Sequence, residues 1–197
     1  MALIISIIIL ALLSYYSGLK SVIKGKYKPS IYSRFIWALI SINSFIGVVL
    51  LDNNSGIIAL AGVQLIGSIA MLLGAMKYSV KSFGRTEIIC TILLIVSLIV
   101  WLVLKSPIIN VLISLIAHFI GGMPTIISSW KKPSSEDFFF WLFFAVASLL
   151  AYLNANKVDF KSFIYALYFL IFDSLITITS ARQYLKYTKL KNVGAEE

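Results

Sequence analysis

Seven long apolar stretches dominate the sequence: residues 2–19, 35–51, 56–76, 88–104, 107–129, 138–154 and 162–181. Six contain no Asp, Glu, Lys or Arg, and the seventh contains one, Asp173. A helix crossing a hydrocarbon core of about 30 Å needs about 20 apolar residues, because it rises about 1.5 Å per residue. These runs are too long for barrel strands and lack the period-two alternation of a barrel wall. Inside lipid a backbone must satisfy its own hydrogen bonds, so helices remain. Composition agrees. The chain is 60% hydrophobic and 13% charged, with a mean hydropathy of +0.96. A soluble domain typically carries about a quarter charged residues. The expected class is an all-α integral membrane protein with seven transmembrane helices, multi-pass, in a plasma or inner membrane. The first run lacks a basic start and a small-residue cleavage site, so it is expected to stay as a helix rather than leave as a signal peptide. The single cysteine, Cys90, excludes an internal disulfide, a CxxC pair and a cysteine metal site.

The connections carry the orientation. One side holds Lys20, Lys24, Lys26, Lys28, Arg34, Lys77, Lys81, Arg85, Lys131, Lys132, Arg182, Lys186, Lys189 and Lys191, fourteen in all. The other holds three, Lys105, Lys157 and Lys161. The positive-inside rule places the N-terminus outside and the C-terminus in the cytoplasm. Basic clusters beside apolar runs are solvated loop ends near anionic lipid, so no nucleic-acid partner is expected despite the net charge of +9.

An internal repeat is present. A shift of 104 residues places Gly18 on Gly122, Ile23 on Ile127, Lys28 on Lys132, Pro29 on Pro133 and Ser30 on Ser134. The same shift places Phe35 on Phe139, Trp37 on Trp141 and Ser44 on Ser148, without a gap. Apolar composition produces chance Ile or Phe matches, but not an ordered Lys-Pro-Ser followed by Phe and Trp. A weaker shift of 106 pairs Ser68 with Ser174, Ala75 with Ala181 and Tyr78 with Tyr184. Seven spans then divide into two three-helix repeats joined by a linker helix, a 3+1+3 layout, and the odd linker gives both triplets the same orientation. The expected units are residues 1–82, 83–106 and 107–190, with a cytoplasmic tail at 191–197.

In the fifth run, Gly121-Gly122-Met123-Pro124-Thr125 resembles the Pro-Gln motif of the SWEET sugar transporters and the broader PQ-loop families, with Thr in place of Gln. The matching place in the first run, Gly18-Leu19-Lys20-Ser21, has no proline. The three-one-three layout with an outside N-terminus is similar to those families over nearly the whole chain, and the chain looks like a divergent prokaryotic branch. The resemblance implies a seven-helix transporter for a small polar solute. KDEL receptors share a related layout, which implies a ligand-capturing receptor as the alternative.

Several side chains in the runs bear on function. Asp173 sits near the middle of the last run, where an unpaired charge is costly. It shares a helical face with Thr177 and Ser180, so it either lines a polar cavity or ties two helices together. His118, in the fifth run, is a candidate proton-relay partner of Asp173, or else a neutral imidazole bonded to backbone. Gln64 and Ser68 share one face of the third run, and Asn43 and Ser148 add polar points in the second and sixth. These five, Asn43, Gln64, Ser68, Ser148 and Asp173, are the expected substrate-binding set, with interhelical bonding as the competing role. Trp37 and Trp141 are candidate gates, or members of an aromatic belt. Pro124 is a candidate hinge, because proline removes a backbone bond inside a helix.

The expected function is small-solute transport, of a sugar or similar polar metabolite, by alternating access between the two triplets. There is no HExxH, GxSxG or Walker loop, so no enzyme, metal or cofactor is expected. A membrane enzyme would need Asp173 and His118 within hydrogen-bonding reach. One chain holds both triplets, so a monomer suffices, and a homo-oligomer stays open.

Overall fold

The computed structural model describes residues 1–26, 30–51, 54–78 and 84–193, with side chains through 184. Lys28, Pro29, Lys81 and tail residues 194–197 lie outside the described residues, as do the side chains of Lys186, Lys189 and Lys191. Each apolar run forms one α-helix: α1 Ala2–Ile23, α2 Ile31–Leu50, α3 Ser55–Tyr78, α4 Arg85–Leu104, α5 Pro107–Lys131, α6 Phe138–Asn154 and α7 Phe160–Val193. A 3-10 turn, Pro133–Ser135, joins α5 to α6. The described residues contain no β-strand.

Local chemistry sets the ends. Ser30 Oγ accepts from the Ser33 amide at 3.4 Å at the start of α2, and Asn54 Oδ1 accepts from the Ile57 amide at 3.1 Å at the start of α3. Glu87 Oε2 reaches back to the Gly84 amide at 2.9 Å before α4, and Pro107 opens α5. Lys105 closes α4 in the left-handed region, at φ 49. Several helices outrun their apolar stretches. α1 continues through Lys20 to Ile23, and α2 begins before Arg34. The backbone ladder does not stop where charge begins, because long basic side chains carry their heads toward the interface.

Six helices are long and apolar enough to cross a membrane, and α6 is the shorter one. Its 17 residues rise about 25 Å. Asp137 Oδ1 fixes its start by accepting from the Phe140 amide at 2.9 Å. Beyond its end, Lys157 Nζ donates to the carbonyls of Tyr152 and Ala155.

In the assembled bundle α3 packs on α1 and α2, and α7 on α5 and α6. α1 runs against α6, α2 against α5, and α4 lies on α5 and α2. α4 buries only Cys90, Leu94 and Ser97, a single helical stripe. The remainder of α4, including Ile92, Ile95, Ile99 and Leu102, is exposed. The bundle buries polar groups among its apolar core and turns large apolar side chains outward. Ser14, Ser44, Asn110, Ser114, Ser148 and Asp173 are buried, while Ile5, Ile9, Ile66, Leu73, Ile171 and Ile178 are exposed. Water would reject that arrangement and lipid accepts it. The chain is a multi-pass membrane protein.

Candidate functional site

The polar side chains inside the bundle form two groups. In the first, Asn43 on α2 donates through Nδ2 to Ser97 Oγ on α4 at 2.9 Å, and to Asn110 Oδ1 and Ser114 Oγ on α5 at 2.9 and 2.7 Å. Ser97 Oγ also donates to Asn110 Oδ1. This cluster fastens α4 to α2 and α5. Asn43 is therefore set apart from the other expected binding residues. Its amide is engaged in holding three helices together.

The second group surrounds a chamber inside the bundle. Tyr15 of α1, Trp37 of α2, Gln64 of α3, His118 of α5, Phe140, Trp141 and Phe144 of α6, and Phe169 and Asp173 of α7 line it. Its volume is about 20 Å³, enough for a water molecule. Asp173 is 2% exposed. Among the described residues, its carboxylate receives one hydrogen bond, from Ser148 Oγ at 3.5 Å. Thr177 Oγ1 and Ser180 Oγ donate to carbonyls of their own helix, so the expected hydroxyl stripe is turned onto backbone. Gln64 Oε1 accepts from Tyr165 OH, and Ser68 Oγ pairs with Ser41 Oγ at 2.9 Å.

His118 and Asp173 share this chamber, but no hydrogen bond joins their side chains. His118 Nδ1 pairs with Tyr168 OH at 2.9 Å. Its ring lies 4.6 Å from Trp37, 4.9 Å from Phe169 and 5.0 Å from Phe172. The histidine is boxed by aromatic rings.

A vestibule of about 410 Å³ lies at the end of the bundle that carries most of the Lys and Arg residues. Ser33, Arg34, Thr86, Glu87, Thr125, Ser128 and Glu136 contribute its polar walls, with Trp37, Gly121 and Pro124. Trp37 lines both spaces and forms the wall between them. On the vestibule side Arg34 Cζ sits over the Trp37 ring, 5.2 Å from its centroid. A Cβ added to Gly121 would come within 2.9 Å of Trp37 Nε1, so only glycine admits the indole this closely. Pro124 lies inside α5, which continues unbroken to Lys131, and its ring faces the vestibule wall.

Trp141 is buried, and its Nε1 donates to Glu136 Oε2 at 3.3 Å. Ser128 Oγ donates to Glu136 Oε1 at the same distance. Burial lifts the Glu136 carboxyl from its ordinary 4.5 up to about 7, although the Trp141 bond, the charge of Arg34 and the Ser128 bond pull it down. Asp137, beside it, accepts from Ser17 Oγ at 2.8 Å and from Ser21 Oγ, which seals α1 against the start of α6.

At the opposite end of the bundle a pair of asparagines ties the start of α3 to the end of α6. Asn54 Nδ2 donates to the Asn154 carbonyl at 3.0 Å, and Asn154 Nδ2 returns a bond to Asn54 Oδ1 at 3.5 Å. Beneath this pair Ile7, Ile57, Phe144, Tyr165 and Phe169 form part of one apolar cluster.

Sequence reading missed Arg34, Glu87 and Glu136. One signal was available. Glu87, Glu136 and Asp137 are acids placed on the strongly basic side, next to run ends. No family model matches the chain, nor does any curated protein or solved structure.

Proposed function

We propose that the protein moves a small solute across the membrane by alternating access between two three-helix units, α1–α3 and α5–α7, with α4 as linker. In this reading all seven helices cross the bilayer, the N-terminus faces outside and the vestibule faces the cytoplasm. The observation that carries it is the chamber: a nearly unpartnered carboxylate, enclosed by helices from both units, with a vestibule on one side and the Asn54–Asn154 tie on the other. An intramembrane acid facing a cavity is expected where a substrate or ion must pause.

The packing supports the duplication. Exchanging α1 with α5, α2 with α6 and α3 with α7 turns the α1–α3 and α2–α3 contacts into α5–α7 and α6–α7. It also turns α1–α6 into α5–α2. The 104-residue shift places Ser21 on Thr125 and Ser33 on Asp137. Ser21 and Asp137 are bonded, closing the α1–α6 seam. Their counterparts Thr125 and Ser33 both line the open vestibule between α2 and α5. Equivalent seams in unequal states are what one frame of a rocking cycle contains. A ligand-capturing receptor would share the one-sided opening but would not move its ligand across.

Purified protein in proteoliposomes should take up at least one member of a panel of radiolabelled sugars, amino acids and amines. Asp173→Asn should lower that uptake at least tenfold while leaving the melting temperature within a few degrees, since the carboxylate has so little bonding to lose. No uptake of any panel member, or equal uptake by the variant, refutes the proposal.

A further inference from the structure

Building on the transport reading, we propose that the chamber, about 20 Å³ as it stands and joined to the vestibule of about 410 Å³ when the Trp37 indole moves aside, takes a small organic cation, an amine or quaternary ammonium carried on an apolar body, in preference to a sugar. Six of the nine lining side chains carry phenyl, phenol or indole rings: Tyr15, Trp37, Phe140, Trp141, Phe144 and Phe169. Asp173 is the one acid there, and no lysine or arginine joins it. Arg34 belongs to the neighbouring spaces, over the Trp37 ring.

A sugar presents hydroxyls around its whole rim, and each one left without a partner costs about 1–3 kcal/mol. The chamber is poor in groups to receive them. Gln64 Oε1 is held by Tyr165 OH and His118 Nδ1 by Tyr168 OH. Ser148 Oγ already points at Asp173. The main acceptor left is the Asp173 carboxylate, ringed by π surfaces, with Gln64 Nε2 and His118 Nε2 beside it on the lining. Aromatic rings attract a cation within about 6 Å of the centroid, and the attraction grows as water is removed. A carboxylate at the same depth supplies the counter-charge that an ammonium needs inside a bilayer.

The approach fits the same cargo. The vestibule of about 410 Å³ lies within the 300–1,000 Å³ typical of small-molecule pockets. Glu87 and Glu136 are on its walls, and Trp37 separates it from the chamber. Displacement of the Trp37 indole would join the two spaces, and the cation would pass from the Glu87 carboxylate across an aromatic face to Asp173.

The test uses the purified full chain in detergent with three probes: benzyltrimethylammonium, benzyl alcohol and glucose. Binding is read by calorimetry. Benzyltrimethylammonium should bind at least tenfold more tightly than benzyl alcohol and glucose. Asp173→Asn should weaken the ammonium at least tenfold and leave the alcohol unchanged. Trp141→Leu, which keeps the acid, should also weaken the ammonium severalfold, and it serves if Asp173→Asn fails to fold. Glucose or the alcohol binding as tightly as the ammonium overturns the inference, as does ammonium affinity unaltered in both variants. Uptake of glucose but not of the ammonium into proteoliposomes also overturns it and leaves the transport reading standing. Ammonium binding without uptake of any solute upholds the site and refutes transport.

Discussion

At the scale of single residues, two acids define the interior, and they differ in company. Asp173 has one long bond from Ser148, whereas Glu136 is held by Trp141 and Ser128 near Arg34. Burial raises the Glu136 carboxyl to about 7, so the fold favours its protonated form. An unfolded glutamate ionises near 4.5. The native state therefore holds the extra proton between those two values, and stability falls as pH rises through that window, on the order of 3 kcal/mol in all. Below the window the penalty is absent, and above it the penalty is complete. Glu136→Gln should flatten this slope, which thermal melts between pH 5 and 8 would read directly. An unchanged slope would mean that another group carries the titration. Sequence alone located Asp173 as an inward-facing acid because lipid tolerates no alternative. It could not locate Glu136, because an acid at a helix boundary is ordinary until an indole and a guanidinium close over it.

At the scale of helices, the contacts depend on small residues and amides. Lipid tails are as apolar as leucine, so helices associate through close approach and hydrogen bonds. Gly67 of α3 lies against Tyr15 of α1, and a Cβ there would sit 2.2 Å from the ring. Gly67→Ala should destabilise the protein by about 1–3 kcal/mol. Asn43→Ala should cost about 1–2 kcal/mol by leaving Asn110 and the two serines short of a partner. Detergent melts of both variants against the parent check this, and a neutral Gly67→Ala would contradict the packing at that seam. The apolar runs announced each helix, but hydropathy reports depth and not azimuth. Asn43, Gln64 and Asp173 all read as midplane polar residues. The facing of each helix, fixed only by its neighbours, sends Asn43 into a three-helix clamp and the other two into the chamber.

At the scale of the whole molecule, charge asymmetry and the 104-residue sequence match on which the proposed duplication rests were both legible in the chain, since each is written in many residues. The state of the seams was not, because it depends on which of two similar interfaces is closed. Orientation has a direct check. Cys90 is the lone thiol and is buried, so Cys90→Ser provides a thiol-free parent. A cysteine placed at Val158, which is 95% exposed beyond α6, should react with an impermeant maleimide on intact cells. One placed at Lys132 should react only after the cells are opened. The reverse pattern would invert the proposed topology and place the vestibule outside.

The brevity of α6 has a consequence for the surrounding lipid. On the proposed seven-span reading its outer face, with Phe139, Leu149 and Leu153 exposed, offers about 25 Å of helix to acyl chains accustomed to about 30 Å. Such a mismatch costs fractions of a kcal/mol per ångström, and a thinned leaflet is one way to relieve it. On that reading short-chain or loosely ordered lipid should suit the protein best, and sterol-stiffened, thicker membranes would press on the very helix that carries Trp141 and Ser148.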